Sequence, residues 1–457
     1  MKKVAIIGAG MMSPPIANYF LDICDYQVVM VDQVAAKARD IIGNRPKARA
    51  AAINIRDSRD LDPVIKDVDI VVSMVPRPVH IHAARSCLRH GKSMLTASYE
   101  TPEIKALADE AREKGILILN EMGEDPGIDH LGTMLLLDEV REQGGEVIDV
   151  KSYGSGIPSF QHNNNPMGYK FSWDPRTFFV SAQTGAAYYI DGRRVEVPGD
   201  RLFEHFWLVD IEGLGTFETY PNKDCKKYLE VFGFSKGISY YRGLLRFPGY
   251  CNNMRYLNEI GLFDSKQVEN FNNMTYRQFT AFLLGVGSGE SLERDMAGFL
   301  KLDINADFIH RLEWLGFFDD RPMVVRRGTR QEVLLERMLE KMSYAPHEKD
   351  MVIVHIEVTA EFPGKRQETR LATMVVEGIP YGDSAMSRAV GFTIAIGTRM
   401  VLEGKIKAVG VHIPPTLPGI YKPVLEELAA FGFVFNKKFL QGVQGGSFFK
   451  KRPPGRA

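Results

Sequence analysis

The chain has 457 residues, 45% of them hydrophobic and 25% charged, which suits an ordinary globular protein of two or three domains and exceeds what one small core can hold. Lys+Arg and Asp+Glu both number 57, and the resulting net charge of +0 argues against a whole-protein role on nucleic acid or a membrane surface. Cys24, Cys87, Cys225 and Cys251 form no CxxC pair, no leader is visible, and no apolar run nears the ~18 residues of a membrane span, so the chain reads as cytoplasmic, without disulfides or thiolate metal sites.

The run "VAIIGAGMMSPPIANYF", Val4 to Phe20, reads as a buried strand, a glycine turn and a helix. Further short β-rich runs follow: "QVVMVD", "AAINIR" at 51–56, "DIVVSMV", "SMLTAS" and "ILILNE". Helical stretches such as "HIHAARSCLRHG" and "PEIKALADEAREKG" separate them. Continuous apolar strands alternating with helices imply a doubly wound, Rossmann-type parallel sheet over residues 1–125. After the loop "NEMGEDPGIDH" a helix is expected from Ile128. A second, α+β domain is expected over 126–384, with a helical lobe at 254–345. The strands "DMVIVHIEVTAEF" and "TRLATMVVEG" resume its sheet. The helices "SAMSRAVGFTIAIGTRMVLEG" and "IYKPVLEELAAFG" are expected to return the chain to the first domain, which residues 385–450 complete, leaving a basic tail at 451–457.

In the opening turn, Gly8 permits a tight bend and Gly10 a close backbone approach to a pyrophosphate. Ser13 stands where a third glycine is common; it is small, and its hydroxyl is placed to donate to a phosphate. Pro14 and Pro15 fall where a helix tolerates missing N–H groups. Asp32 closes the second strand, where a carboxylate accepts from a ribose hydroxyl and repels a 2′-phosphate, so NAD is expected over NADP. A turn without ligand and a solvated Asp32 are the plainer readings.

The segments "MLTASYETPE", "NEMGEDPGIDHLG", "NPMGYKFSWDPR", "ETYPNKD" and "YYRGLLRFPGY", in this order and with "GAGMMSPP", resemble saccharopine dehydrogenase of the glutamate-forming type over nearly the whole chain. The resemblance implies oxidation of the secondary amine of saccharopine to an imine that hydrolyses to glutamate and 2-aminoadipate 6-semialdehyde, or the reverse. It places Gly10, Met11 and Met12 in the phosphate turn, Val75 near the adenosine, Ser98 and Tyr99 on the substrate, and Glu124, Asp125 and Pro126 between nicotinamide and substrate. It brings Trp173 to the cofactor, Lys223, Leu244, Leu245 and Arg246 to the substrate carboxylates, and two chains together as a homodimer through the second domain. The chain departs from the family at Lys223, usually arginine, at Gly154, commonly cysteine, and at Asp32, where NADP-using members carry arginine.

A substrate with three carboxylates needs fixed cations, and Arg242, four residues before Arg246, shares its side of a strand. Hydride transfer requires the secondary ammonium to lose a proton; Asp125 is expected to pair with it, and Tyr99 or a desolvated Lys170 to move protons. Tyr99 reads equally as a packing residue, and His130 as a relay or a structural helix-start histidine. No metal is expected, because His80 and His82 are two apart on a helix and no HExxH occurs. The rivals are a lysine ε-dehydrogenase, a carboxynorspermidine dehydrogenase, and a dinucleotide-binding sensor without chemistry.

Overall fold

The computed structural model describes residues 1–441 apart from 235, 236, 288, 290 and 365, so the expected tail and the end of the 385–450 span lie outside the described residues. The chain opens with β1 (Lys3–Ile7), α1 (Ser13–Asn18), β2 (Gln27–Asp32), α2 (Ala35–Ile42), β3 (Ala48–Ala52), α3 (Ser58–Lys66) and β4 (Ile70–Ser73). There follow α4 (His80–His90), β5 (Ser93–Thr96), α5 (Pro102–Lys105), α6 (Ala108–Glu113) and β6 (Leu117–Leu119). α7 (Ile128–Glu142) then leads to β7 (Glu146–Gly154), β8 (Gly156–Pro158), α8 (Pro175–Ala182), β9 (Ala186–Ile190) and β10 (Arg193–Val197). After these come β11 (Trp207–Ile211), β12 (Gly215–Pro221), α9 (Lys226–Val231) and β13 (Ser239–Arg246). The helical lobe comprises α10 (Tyr250–Glu259), α11 (Tyr276–Leu284), α12 (Leu292–Leu300), α13 (Asp307–Leu315) and α14 (Arg330–Lys341), with the short pair β14 (Glu269–Asn270) and β15 (Arg327–Gly328). The described chain ends with β16 (Asp350–Phe362), β17 (Arg366–Glu377), α15 (Ala385–Leu402), β18 (Gly410–His412), α16 (Tyr421–Ala430) and β19 (Asn436–Gln441).

Among the described residues the first sheet is wholly parallel, in the order β18-β6-β5-β4-β1-β2-β3. Side chains alternate across it. Ala5, Ile7, Val29, Val31 and Val71 face α3 and α4, whereas Val4, Ile6, Val28, Met30 and Val72 join a larger core that runs unbroken into the second domain. β3 lies three residues earlier than its apolar signal at 51–56. It is the edge strand, where alanine suffices, and Asn54 already begins the turn into α3.

The second sheet is mixed and follows β10-β9-β13-β7-β16-β17-β19, with β12 and β11 beyond β13 and β8 on β16. α15 is buried along most of its length because it packs against α1, β4 and β5 on the first sheet and β16 on the second. It welds the two domains. No helix among the described residues is long and apolar enough to cross a membrane. β18 extends the first sheet beside β6, but residues 436–441, expected in the first domain, pair antiparallel with β17 instead. β19 thereby covers the free edge of β17, whereas β18 already closes its own side of the first sheet.

Candidate active site

Strand order reverses between β1 and β4, and at such a switch point the carboxyl ends of parallel strands leave a crevice. The β1–α1 turn lines it. Gly8 has φ +107, and a Cβ there would sit 2.7 Å from the Met74 carbonyl oxygen at the end of β4, so only glycine serves. A Cβ on Gly10 would meet no protein atom, so nothing in the fold fills that space. Met11 is half exposed and Met12 precedes the first turn of α1, which accommodates Pro14 and Pro15. The backbone nitrogen of Val75 would lie 3.4 Å from a Cβ on Gly8. Ser13 differs from its expected role. Its hydroxyl is fully buried and donates to the Gly8 carbonyl at 2.8 Å, so it holds the turn and is not presented to a phosphate.

Asp32 also serves the turn. Its carboxylate accepts from the backbone N–H of Ala9 and of Val34, each at 3.0 Å. Beside it, at the ends of β2 and β3, opens a cleft of about 670 Å³ lined by Gln33, Ala52, Ile53, Asn54, Arg56 and Asp60. Arg56 is the cation of that lining. Glycine turn, open space at Gly10 and a cleft at the β2 end together fit a dinucleotide.

On the other wall, loop 120–127 and α7 of the chain's centre meet β13. Arg242, 1% exposed, donates from Nη2 to Asp125 and, at 2.7 Å, to Asp129. Asp125 also accepts from Tyr99 OH at 3.1 Å and from Asn222 Nδ2 at 3.0 Å. Burial, reinforced by the charge of Asp129, raises the Asp125 carboxyl even against Arg242. Glu124, 5% exposed, is pushed well above the carboxylate range by burial and by the charges of Asp125 and Asp129, and among the described residues its Oε1 has no hydrogen-bond partner. Burial lifts Tyr99 well above its ordinary value, which makes it a persistent donor and a poor acid.

Behind this group, His130 lies 3.3 Å from both Glu121 and Asp129, and Lys227 reaches Glu121 at 2.5 Å. Burial opposes ionisation of Glu121, yet His130 and Lys227 hold its carboxyl down to about 2. Ser98 is fixed by His80, whose Nε2 lies 2.8 Å from its Oγ while Nδ1 meets Ser73 Oγ, also at 2.8 Å. Burial and then Arg77 lower His80 to about 4, so the ring is neutral at ordinary pH.

The sequence-derived residues fare unequally. Arg246 is buried between the rings of Tyr169, Tyr220 and Tyr250, its guanidinium centre 5.2, 5.7 and 5.2 Å from them. Among the described residues, the Arg242 Nη1 and Arg246 Nε atoms have no hydrogen-bond partner. Leu244 is half-buried, but Leu245 points the opposite way into the core, as strand alternation demands, and its side chain is not available to substrate. Lys170 is not a free base: its ammonium is held by Glu348 at 2.5 Å. Trp173 spends its indole N–H on Tyr169 OH at 2.9 Å. The Pro126 carbonyl accepts from Gly123 N–H at 2.9 Å and closes the loop that carries Glu124 and Asp125. Sequence reasoning passed over Asp129, Glu121, Asn222 and His80; the first three lie inside the quoted motifs, whereas the role of His80 had no local signal.

Residues 4–119 match the family profile described as the saccharopine dehydrogenase NADP binding domain, and residues 123–433 the one described as the saccharopine dehydrogenase C-terminal domain. Over 441 residues the chain is 30% identical to the Saccharomyces cerevisiae saccharopine dehydrogenase (NADP(+), L-glutamate-forming), covering 93% of this chain and 96% of that one. It is 29% identical over 448 residues to the mitochondrial alpha-aminoadipic semialdehyde synthase of Rattus norvegicus, covering 95% of this chain and 47% of the relative. The chain thus spans about half the length of the mammalian relatives it matches. The solved structure of apo histidine-tagged saccharopine dehydrogenase (L-Glu forming) from Saccharomyces cerevisiae shares the fold with a TM-score of 0.87 at 29% identity, covering 96% of this chain and all of that one. These matches overturn the expectation of NAD, since the profile is described as NADP binding and the fungal relatives are named for NADP(+). The physical error lay in Asp32, whose carboxylate is already engaged by the backbone N–H groups of Ala9 and Val34.

Proposed function

The chain belongs to the saccharopine dehydrogenase family, and we propose that it oxidises the secondary amine of saccharopine with NADP to glutamate and 2-aminoadipate 6-semialdehyde, or runs the reverse reaction. The observation that carries this reading is the pair of buried guanidiniums, Arg242 and Arg246, each with a donor atom unmatched among the described residues. Unmatched buried donors are costly. Carboxylates of a multiply anionic amine supply the missing acceptors, and a guanidinium binds them with geometric specificity. Asp125, aligned by Tyr99, Asn222 and Arg242, is placed to pair with the ammonium between those carboxylates. Ser98, oriented by neutral His80, adds a hydroxyl contact. Oxidised nicotinamide accepts the hydride. Arg56 in the cleft by β2 and β3 supports NADP, because it brings a cation to the region where a ribose 2′-phosphate would lie. Pairing of two chains through the second domain belongs to the same reading.

The test follows reduced nicotinamide absorbance with saccharopine, lysine and carboxynorspermidine in parallel, each with NADP and NAD. Turnover of saccharopine with NADP is expected. Turnover of lysine alone would overthrow the substrate assignment and leave the fold standing; cofactor binding without turnover of any amine would favour a sensor.

A further inference from the structure

Arg246 ends β13 as a buried cation without a counter-ion. Among the described residues no carboxylate lies within ion-pair distance of it; Nη1 donates to the Leu245 carbonyl at 2.7 Å. Glu218 stands directly across from it in the β12–β13 register. That carboxylate turns instead to the start of α10, where it accepts from the N–H groups of Gly249 at 2.7 Å and Cys251 at 2.8 Å. Arg242, by contrast, is already shared by Asp125 and Asp129. What Arg246 has in place of a counter-ion is the faces of Tyr169, Tyr220 and Tyr250, which attract a cation and leave its N–H groups free. Tyr250, 1% exposed, is incomplete in the same way. Its ring is fixed by Tyr220, stacked at 6.1 Å, and by Tyr169 at 5.5 Å. Tyr169 spends its oxygen on the Trp173 indole N–H, but the Tyr250 hydroxyl is not spent. It sits beside the Arg246 guanidinium, yet among the described residues neither it nor Arg246 Nε has a partner of hydrogen-bond geometry. Two adjacent buried donors left unmatched are costly unless a ligand completes them.

Resting on the proposed reading of the pocket, we infer that Tyr250 is a further substrate-binding residue, whose hydroxyl donates to the same carboxylate that takes the Arg246 Nε–H. The ligand this pair fits is a planar carboxylate, because its two oxygens accept one bond each from the guanidinium and the phenol. Burial holds the Tyr250 phenol well above its ordinary value, so it keeps the proton that it donates. The tyrosine cage and the diversion of Glu218 serve the same end. A fixed carboxylate beside Arg246 would compete with that of the substrate, whereas ring faces keep the cation charged and unspent until the ligand arrives.

Tyr250→Phe keeps the ring over Arg246 and removes the hydroxyl alone. Calorimetric titration of the whole protein with saccharopine, and with glutarate as a dicarboxylate that has no amine to oxidise, should show the Kd of both raised about tenfold to a hundredfold, the worth of one hydrogen bond to a charged group. In turnover the KM for saccharopine should rise with kcat little altered, as for an interaction made equally in ground and transition states. The melting temperature should not fall, because the hydroxyl has no partner within the fold to lose, and NADP affinity should be that of the wild type. Equal affinity of variant and wild type for the two acids, no binding of either acid by the wild type, or a lowered melting temperature of the variant overturns the assignment. A wild type that binds glutarate through Tyr250 but does not turn saccharopine over would instead strike at the functional reading and leave the carboxylate subsite standing.

Discussion

Arg242→Met removes the cation from between two buried carboxylates. The Arg242–Asp129 contact at 2.7 Å is worth about 6 kcal/mol of Coulomb energy at an effective dielectric of about 20. Desolvation offsets most of that gain, but deleting one partner of such a pair strands the other, at a cost of about 3–5 kcal/mol. Both side chains are 1% exposed, so water cannot take the place of the guanidinium. Against a total stability of about 5–15 kcal/mol, this is a large share. The loss should also depend on pH. Burial and the charge of Asp129 already raise the Asp125 carboxyl against the opposing Arg242, so without Arg242 its folded-state pKa rises further above the unfolded one. A contribution of that kind is fully present below the unfolded value of about 3.9 and is lost as pH rises through the folded value. Urea unfolding of wild type and variant from about pH 5 to about pH 8 should therefore show a widening gap. The added substitution Asp129→Asn should recover part of it. A deficit below about 1 kcal/mol, as for an exposed ion pair, or one that ignores pH, would refute the reasoning.

His80 is lowered from 6.5 to about 4 by burial and then Arg77, so its stabilising contribution is present above the unfolded value and lost as pH falls from 6.5 through 4. The shift amounts to about 3 kcal/mol, and His80→Asn should flatten the acid limb of urea stability; an unchanged limb would count against it. A Cβ on Gly154 would lie 2.7 Å from Asp125 Oδ2 and 2.9 Å from Asp125 Cβ. Gly154→Ala should cost about 1–3 kcal/mol in unfolding and depress turnover by displacing Asp125, and wild-type values for both would show that the site has slack. Arg56→Ala should raise the KM for NADP about tenfold or more, the worth of one charge-assisted hydrogen bond, and leave that for NAD unchanged; an unaltered ratio would place the 2′-phosphate elsewhere.

Local pattern was enough to lay out the doubly wound sheet, because a strand covered on both faces must be apolar throughout and a tight turn under a neighbouring carbonyl must be glycine. Gly8 and the runs of β1, β2 and β4 carry those requirements in their own residues. The position of Ile128 at the start of α7 was equally plain, as was the long apolar helix of α15. The motifs brought Tyr99, Asp125 and Arg242 into one hypothesis before any coordinates, and the structure joins them by hydrogen bonds.

What each charge does once there was a tertiary matter. Asp125 and Arg242 stand 117 residues apart and Lys170 and Glu348 178 apart, so neither the first pair's union nor the second pair's neutralisation leaves a trace in either neighbourhood. Burial then sets the chemistry: the same lysine side chain is an ion-pair partner at Lys170, where a free carboxylate comes close, and among the described residues has no ion-pair partner at Lys223, which faces two arginines and an Asp125 already bridged to Arg242. Sequence determined which faces must leave water, since that is written in the alternation of each element. Only the folded chain decided which polar groups meet in the dry interior, because electrostatic partnership depends on distances that loops of a hundred residues or more close.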